Sequence, residues 1–396
     1  MRRQALIAGG GIGGLAMALA ASRADWDVQL FERASAFEEI GAGIQLGPNV
    51  VKLLHQWGLA DALHGVAAFP ELLQVRGAVS GEVLGTLRLG AVMAARYGAP
   101  YATVHRADLH GLLLEAVQRH TSARLHLAQP LESFQQTPQA VTVRTADGLA
   151  SEGDVLIGAD GLWSTTRQQL LGDGQPRRTG HLAYRALVPQ TTLPKHLRSQ
   201  NVTVWLGARM HIVHYPVRGG AWLNVVAIVH GDITTDIDTW DHSAHGAGLS
   251  AALAGSHALL QDLVGAIAGW RLWPVCDRVP MQGADQHAQG RVALLGDAAH
   301  PMRPYLAQGA GMAIEDAAEL GGLLSLAANR DADVPTLLQR YAANRWQRNA
   351  RVQARALRNG QIFHAQGLLR WGRDASMKLL GEKLLDVPWL YGGGGH

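Results

Sequence analysis

The chain has 396 residues, 47% hydrophobic and 17% charged, a balance that fits two domains, or one domain with a large insertion, and excludes a disordered chain. Its formal net charge is only +3 despite a sequence pI of about 9.2, and with no dense lysine/arginine block a nucleic-acid partner is excluded. One cysteine, Cys276, excludes an internal disulfide and multi-cysteine metal centres.

No metal-ligand set is expected. The N-terminus enters a strand without a signal sequence, and no apolar run reaches the length of a membrane span, so a soluble cytoplasmic protein without a membrane partner is the expectation.

Residues 4–8 read as a short apolar strand running into Gly9-Gly10-Gly11-Ile12-Gly13-Gly14 and an alanine-rich helix over 15–24. A second strand, 28–31, ends at Glu32 with Arg33 beside it. This is GxGxxG between strand and helix, with an acid closing the next strand, the βαβ context of dinucleotide binding. Gly9 allows the tight turn, Gly11 lets the backbone approach a pyrophosphate, and Gly14 lets helix pack on strand. Glu32 is placed to accept from ribose hydroxyls.

Residues 39–49, EIGAGIQLGPN, read as a loop whose glycines suit close approach to a cofactor, with a helix over 50–57 after it. A hairpin is expected over 74–89 with Ser80-Gly81 as its turn. The segment HRADLH opens an amphipathic helix, with Arg106 just before it and Asp108 as its cap. Strands follow at 125–128, 131–134 and 141–145, and Asp147-Gly148 is a hairpin turn. Residues 154–161 form a buried strand ending in Asp160-Gly161, and Ser164 and Arg167 lie on a short helix.

From about 183 to 282 the pattern changes to alternating strands at 202–206, 211–217 and 222–229, a mostly antiparallel sheet. Along a strand, residues 211, 213 and 215 share a face, so His211 and Tyr215 converge while His214 points away. Residues 292–295 form a strand that ends in a Gly-Asp turn at Asp297 and a His-Pro bend at His300. A helix begins at Gln308-Gly309-Ala310-Gly311. Its first turn offers unpaired N–H groups and partial positive charge to an anion or an electron-rich ring. Further helices are expected over 317–328, 335–360 and 362–385. Arg340, Arg345, Arg348, Arg351, Arg355 and Arg358 are spaced like the solvated side of one of them.

Taken together, the fingerprint, the EIGAGIQLGPN loop, HRADLH, DVLIGADGLWSTTR, TGHLAYRALVP, LLGDAAHP and LAQGAGMAIEDA resemble the single-component FAD-dependent aromatic hydroxylases, the group A flavoprotein monooxygenases. Within them, HIVHYPVRGG and VPWLYGG look most like the 3-hydroxybenzoate 6-hydroxylases and salicylate hydroxylases. The 6-hydroxynicotinate 3-hydroxylases are a more distant match. The resemblance implies an α/β fold (α+β overall). It has a Rossmann-like FAD-binding domain of the p-hydroxybenzoate hydroxylase type, an inserted, mostly antiparallel substrate sheet, and C-terminal helices. The corresponding boundaries are 1–73, 101–180 and 285–330 for FAD, 74–100 and 181–284 for substrate, and 331–396 for the helices.

The resemblance further implies tightly bound, non-covalent FAD, with NADH or NADPH visiting transiently. O2 would hydroxylate a small aromatic acid, salicylate to catechol or 3-hydroxybenzoate to gentisate, through a flavin C4a-hydroperoxide. It leaves a homodimer open. Gly9, Gly11 and Gly14 would hold the pyrophosphate, and Glu32, with Arg33, the adenosine ribose. Arg106 and Asp297 would contact the ribityl and pyrophosphate region, with Asp160 tying the fingerprint loop to it. Gln45 and Pro304 fall on cofactor-side positions, and Gly309, Ala310 and Gly311 would face the flavin N1–C2=O edge. His211 would be the base beside the substrate hydroxyl, with Tyr215 next to it. Pro304 stands where the 3-hydroxybenzoate enzymes carry glutamine, and Gln45 where the nicotinate enzymes carry histidine.

Overall fold

The computed structural model describes residues 2–37, 42–231, 243–244, 246–327 and 332–393. Two compact units are present, one made of Met1–Ile40, Ala107–Arg177 and Asp277–Ala356, the other of Gly41–Arg106, Arg178–Cys276 and Leu357–His396.

In the first unit, the strands Val292–Leu294, Val155–Gly158, Gln4–Ala8, Asp27–Phe31 and Arg124–His126 lie side by side in that order, all parallel, with Ala288–Gln289 antiparallel at one edge. The short Val/Ile/Leu/Ala runs of Val292–Leu294, Val155–Gly158 and Gln4–Ala8 are buried on both faces, as central parallel strands require, while the edge strand Arg124–His126 is partly exposed. Against this sheet the helix Ile12–Arg23 buries nearly every side chain and packs on the helix Gly309–Ser325. Small residues set that approach. A Cβ on Gly321 would stand 2.7 Å from the Ala20 Cβ, and one on Gly13 would stand 3.3 Å from the Ala313 Cβ. A smaller antiparallel sheet of Leu131–Gln136, Val141–Thr145 and Ala150–Gly153 completes this unit, with Asp147-Gly148 as one of its turns.

The second unit is built on eight strands in the order Ser243–Ala244, Trp270–Asp277, Arg177–Pro189, Trp222–His230, Met210–Val217, Val202–Gly207, Leu72–Gly77 and Val83–Arg88. Val202–Gly207 runs parallel to Leu72–Gly77, while Met210–Val217 is antiparallel to both of its neighbours. On one face Trp205, Met210, Ile212 and Val225 pack with leucines of the helices Ala247–Ala252 and Ala258–Gly265. On the other, Val204, Leu206 and Val213 pack with Phe363 and Met377. The period-2 alternation thus sends His211 and Tyr215 to one side and His214 to the other.

Several expectations change. The loop read over 39–49 contains the strand Gly43–Leu46, paired antiparallel with Ala102–His105, and the helix Pro48–Gln56; Glu39, Ile40 and Gly41 lie outside the described residues. Gly43 is required because a Cβ there would meet Tyr215 at 2.7 Å and Asn224 at 2.9 Å. The HRADLH helix begins at Arg106, which puts Asp108 in its first turn rather than at its cap. The helix expected to begin at Gln308-Gly309 does so, and the one expected over 317–328 is its continuation in Gly309–Ser325, while the one expected over 362–385 is split. Val334–Phe363 ends before a break, Gly367–Leu380 follows, and left-handed Gly381 separates it from Glu382–Leu385. The long strand Arg177–Pro189 and the two helices between 247 and 265 carry no strict period and were not expected.

Candidate functional site

Backbone space shapes the fingerprint turn. Gly9 has φ +100°, and a Cβ on it would stand 2.9 Å from the Asp160 Cα, while one on Gly14 would overlap the Gly9 carbonyl oxygen. Gly11 is the side-chain-free N-cap of Ile12–Arg23. Glu32 accepts at 2.6 Å from the Gly10 N–H and at 2.8 Å from the Ala34 N–H, one on each carboxylate oxygen, so each oxygen keeps a lone pair for a further donor. Arg33 is exposed. His110, which sequence reading passed over, is buried and bonds the Gly10 carbonyl at 2.8 Å from the HRADLH helix.

Asp160 turns its carboxylate toward its own helix. It accepts from the Ser164 hydroxyl and, at 2.9 Å, from both the N–H and hydroxyl of Thr166. Burial raises its pKa and those bonds oppose the rise. Its backbone, against Gly9, is what touches the fingerprint loop.

The second cofactor-side element is the Gly296–Gly311 stretch. Asp297 is exposed, and its Oδ1 would stand 3.8 Å from a Cβ on Gly309, so carboxylate and helix start are neighbours. Pro304 opens one 3-10 turn, and Ala307, with φ +52°, reverses the chain into the N-cap Gln308. The Gln308 Oε1 is buried and has no hydrogen-bond partner among the described residues. An unsatisfied buried oxygen next to the free N–H groups of Gly309, Ala310 and Gly311 fits a ligand with donors and acceptors of its own, as a flavin ring has. The glycine cradle and this start together suit FAD.

A buried ionic network pins this stretch. Asp316 accepts from the Gly296 N–H at 3.1 Å, bonds His300 Nε2, and accepts from Arg345 Nε at 2.7 Å and Asn349 Nδ2 at 3.0 Å. Glu315 accepts from Arg345 at 2.9 Å and from Arg348 at 2.6 Å. Burial alone would raise the Asp316 pKa, but the charges of His300 and Arg345 hold it well below the usual carboxylate range. The reading of Arg345 and Arg348 as solvated is therefore corrected: Arg345 is 5% exposed, drawn inward by adjacent acids on the facing helix.

In the second unit, Gln45 is buried and accepts from the Tyr101 hydroxyl at 2.7 Å. Tyr215 donates at 2.6 Å to the Gly43 carbonyl, and burial raises its pKa, so it stays a neutral phenol. Arg106 is half-buried at the start of its helix, where its N–H donates to the Ala42 carbonyl at 3.2 Å. Gln45 and Arg106 thus fall in the unit that holds Tyr215, whereas the fingerprint glycines, Glu32, Asp160, Asp297 and Gly309–Gly311 fall in the other.

His211 is 2% exposed, and its Nδ1 lies 2.8 Å from His364 Nε2. His364 Nδ1 in turn lies 2.9 Å from Nε2 of exposed His230. His181, the register partner of His230 across two strands, stacks edge-on at 4.4 Å. Burial, then the neighbouring His364 and His181, pushes the His211 pKa well below its ordinary value. It is therefore a neutral imidazole, with Nδ1 engaged by His364. No spacing in the sequence announces this row, because its members come from two strands, a third strand and a helix end. His214, on the other face, accepts from Trp205 Nε1 at 3.3 Å, and burial pushes its pKa down to about 4.

Residues 2–356 match a family model described as an FAD binding domain. A 3-hydroxybenzoate 6-hydroxylase of Polaromonas naphthalenivorans is 37% identical over 389 residues, covering 98% of this chain and 95% of that protein. A 3-amino-4-hydroxybenzoate 2-monooxygenase of Streptomyces platensis is 38% identical, covering 99% of this chain and 96% of that protein. A solved salicylate hydroxylase substrate complex superposes with a TM-score of 0.83 at 27% identity, covering 98% of this chain and 95% of that one. The glycine cradle, the Gly-Asp stretch and the p-hydroxybenzoate hydroxylase type of fold agree with these matches, and the chain belongs to the FAD-dependent aromatic hydroxylases, the group A flavoprotein monooxygenases.

Proposed function

We propose that the protein uses NAD(P)H and O2 to hydroxylate a monohydroxybenzoate, with 3-hydroxybenzoate to gentisate as the first reading. The observation that carries it is His211, neutral, buried and backed by His364 on the face it shares with Tyr215. When bound, FAD supplies the oxygen activation, at the expense of NAD(P)H.

The chain's own residues make the ring reactive. A phenol is a better nucleophile as its phenolate, and His211 Nε2 accepts the phenol proton. The Nδ1 proton of His211 then passes to His364 Nε2, that of His364 Nδ1 to His230 Nε2, and His230 returns one to solvent. Tyr215, its hydrogen committed to the Gly43 carbonyl, makes no hydrogen bond to the phenolate and flanks His211 on the same strand face with its ring. We assign the cofactor contacts to Gly9, Gly11, Gly14, Glu32, Asp297 and Gly309–Gly311.

The identity of 37% over nearly the whole chain to a 3-hydroxybenzoate 6-hydroxylase supports that substrate. Salicylate to catechol is the second reading, favoured by Pro304 and the salicylate hydroxylase likeness. Product identification after aerobic incubation with NADH decides. Gentisate from 3-hydroxybenzoate supports the first reading, catechol from salicylate the second, and peroxide without product sinks both. His211→Ala is expected to keep FAD and lose coupled hydroxylation on the order of 10²–10⁴-fold. Unchanged coupling refutes the base.

A further inference from the structure

The row of imidazoles behind His211 ends in a group of three. His181 and His230 are register partners on the neighbouring strands Arg177–Pro189 and Trp222–His230, and His364 directly follows the helix Val334–Phe363. Each offers one ring nitrogen, and the three nitrogens lie within 4.8 Å of one another. A tetrahedral cation with Zn–N bonds of about 2.0–2.1 Å holds its donors roughly 3.4 Å apart, so small side-chain rotations close the set.

The hydrogen bonds around the group select the tautomers a cation needs. The Thr179 hydroxyl donates to the Val275 carbonyl at 2.7 Å, so its oxygen accepts from His181 Nδ1 at 3.3 Å and the His181 lone pair sits on Nε2. His364 Nδ1 faces His230 Nε2 at 2.9 Å, and His364 Nε2 reaches His211 Nδ1 at 2.8 Å. His181 and His364 therefore each have a second ring nitrogen held by an outer partner, as metal-binding histidines do. His364 is buried, His181 half-buried and His230 exposed, so a cation enters from the His230 side. Three neutral imidazoles suit a first-row transition cation such as Zn²⁺, Ni²⁺ or Cu²⁺, whereas Mg²⁺ and Ca²⁺ take oxygen ligands.

We propose that His181, His230 and His364 bind one divalent transition cation, and that the bound cation switches off His211. The second half rests on the proton-acceptor role proposed for His211 and follows from where the ring protons sit. A cation on His364 Nδ1 moves that ring's proton to Nε2, which then donates to His211 Nδ1. The His211 proton shifts in turn to Nε2, the atom assigned to take the phenol proton. Every ring stays neutral, and no proton leaves the group.

Equilibrium dialysis of the FAD-loaded full-length protein against Zn²⁺, with bound metal read by atomic absorption, tests the site. Zn²⁺ has no redox chemistry, so it does not itself oxidise reduced flavin. The wild-type protein binds one Zn²⁺ per chain at this site. His181→Gln weakens that binding by on the order of 100-fold or more, and Thr179→Val, which removes only the outer partner, by about 10–100-fold. His181 lies outside the relay from His211 to His230, so His181→Gln keeps the metal-free rate of hydroxylation. Saturating Zn²⁺ lowers the wild-type rate by on the order of 10²-fold or more, the scale of a lost general base. EDTA restores that rate, and His181→Gln at the same Zn²⁺ concentration is not inhibited. Wild-type protein that binds no Zn²⁺, or a His181→Gln protein that binds it equally well, overturns the site. Zn²⁺ bound through His181 with an unchanged rate overturns the switch. Binding is read without turnover, so a failure of the proposed reaction and a failure of the site are told apart.

Discussion

Two buried clusters of this molecule are built around histidines and behave in opposite ways. Under the Gly-Asp stretch, His300 meets Asp316, which also holds Arg345, Asn349 and the Gly296 N–H. In the strand Met210–Val217, His211 meets another imidazole, His364, which meets a third, His230. In the first cluster opposite charges are paired at close range, and the loop that carries Asp297 is fixed. In the second, imidazole against imidazole gives no charge compensation, so burial drives His211 neutral. A histidine is thus made a brace or a proton acceptor by its partner, a carboxylate or a second ring.

The sharpest way to break the comparison is to remove the carboxylate. Asp316→Ala leaves Arg345 and His300 buried without it and is expected to cost about 3–5 kcal/mol, read by urea unfolding together with loss of bound FAD. A loss below about 1 kcal/mol would mean that the network relaxes freely and braces nothing.

A second test uses His214, which is buried without a carboxylate partner. Its pKa is depressed to about 4, so its contribution to stability is full above the unfolded value near 6.5 and is lost as pH falls toward the folded one. Between pH 7 and pH 5 the wild-type protein should therefore lose about 2 kcal/mol more than His214→Asn, measured by denaturant unfolding at both pH values. Equal losses would exclude a neutral buried imidazole.

The smallest effect comes from making the second cluster resemble the first. His230→Glu sets a carboxylate against His364 Nδ1 and favours a cationic His364. A cationic His364 donates from Nε2 to His211 Nδ1, and the His211 proton must then sit on Nε2, the nitrogen needed as acceptor. The acid limb of the kcat/KM profile should move up on the order of one pH unit. An unmoved limb would disconnect His230 from the site.

What the sequence made legible was local. The fingerprint, the acid closing the second strand and the Gly-Asp turn each lie within a few residues, and a turn declares itself by its glycines. The period-2 pattern of Met210–Val217 put His211 and Tyr215 on one face. What stayed hidden depends on partners far along the chain. Arg345 follows the spacing of a solvated helix face, and only the acids at 315 and 316 on the neighbouring helix pull it inside. His181 and His230 are 49 positions apart by their numbering, and only strand register sets them opposite each other. Gly43 looked like loop glycine, yet it is a strand residue made small by Tyr215 and Asn224.

The close packing of Ile12–Arg23 on Gly309–Ser325 constrains anyone who would re-engineer this protein. Ala20 against Gly321 leaves no clearance for a methyl group, and Gly13 against Ala313 leaves little, so the two helices are closely coupled. One begins at the fingerprint and the other beside Asp297. Enlarging any of these four residues to retune one end of the cofactor would disturb the other end, and libraries aimed at flavin potential or cofactor exchange should leave all four untouched.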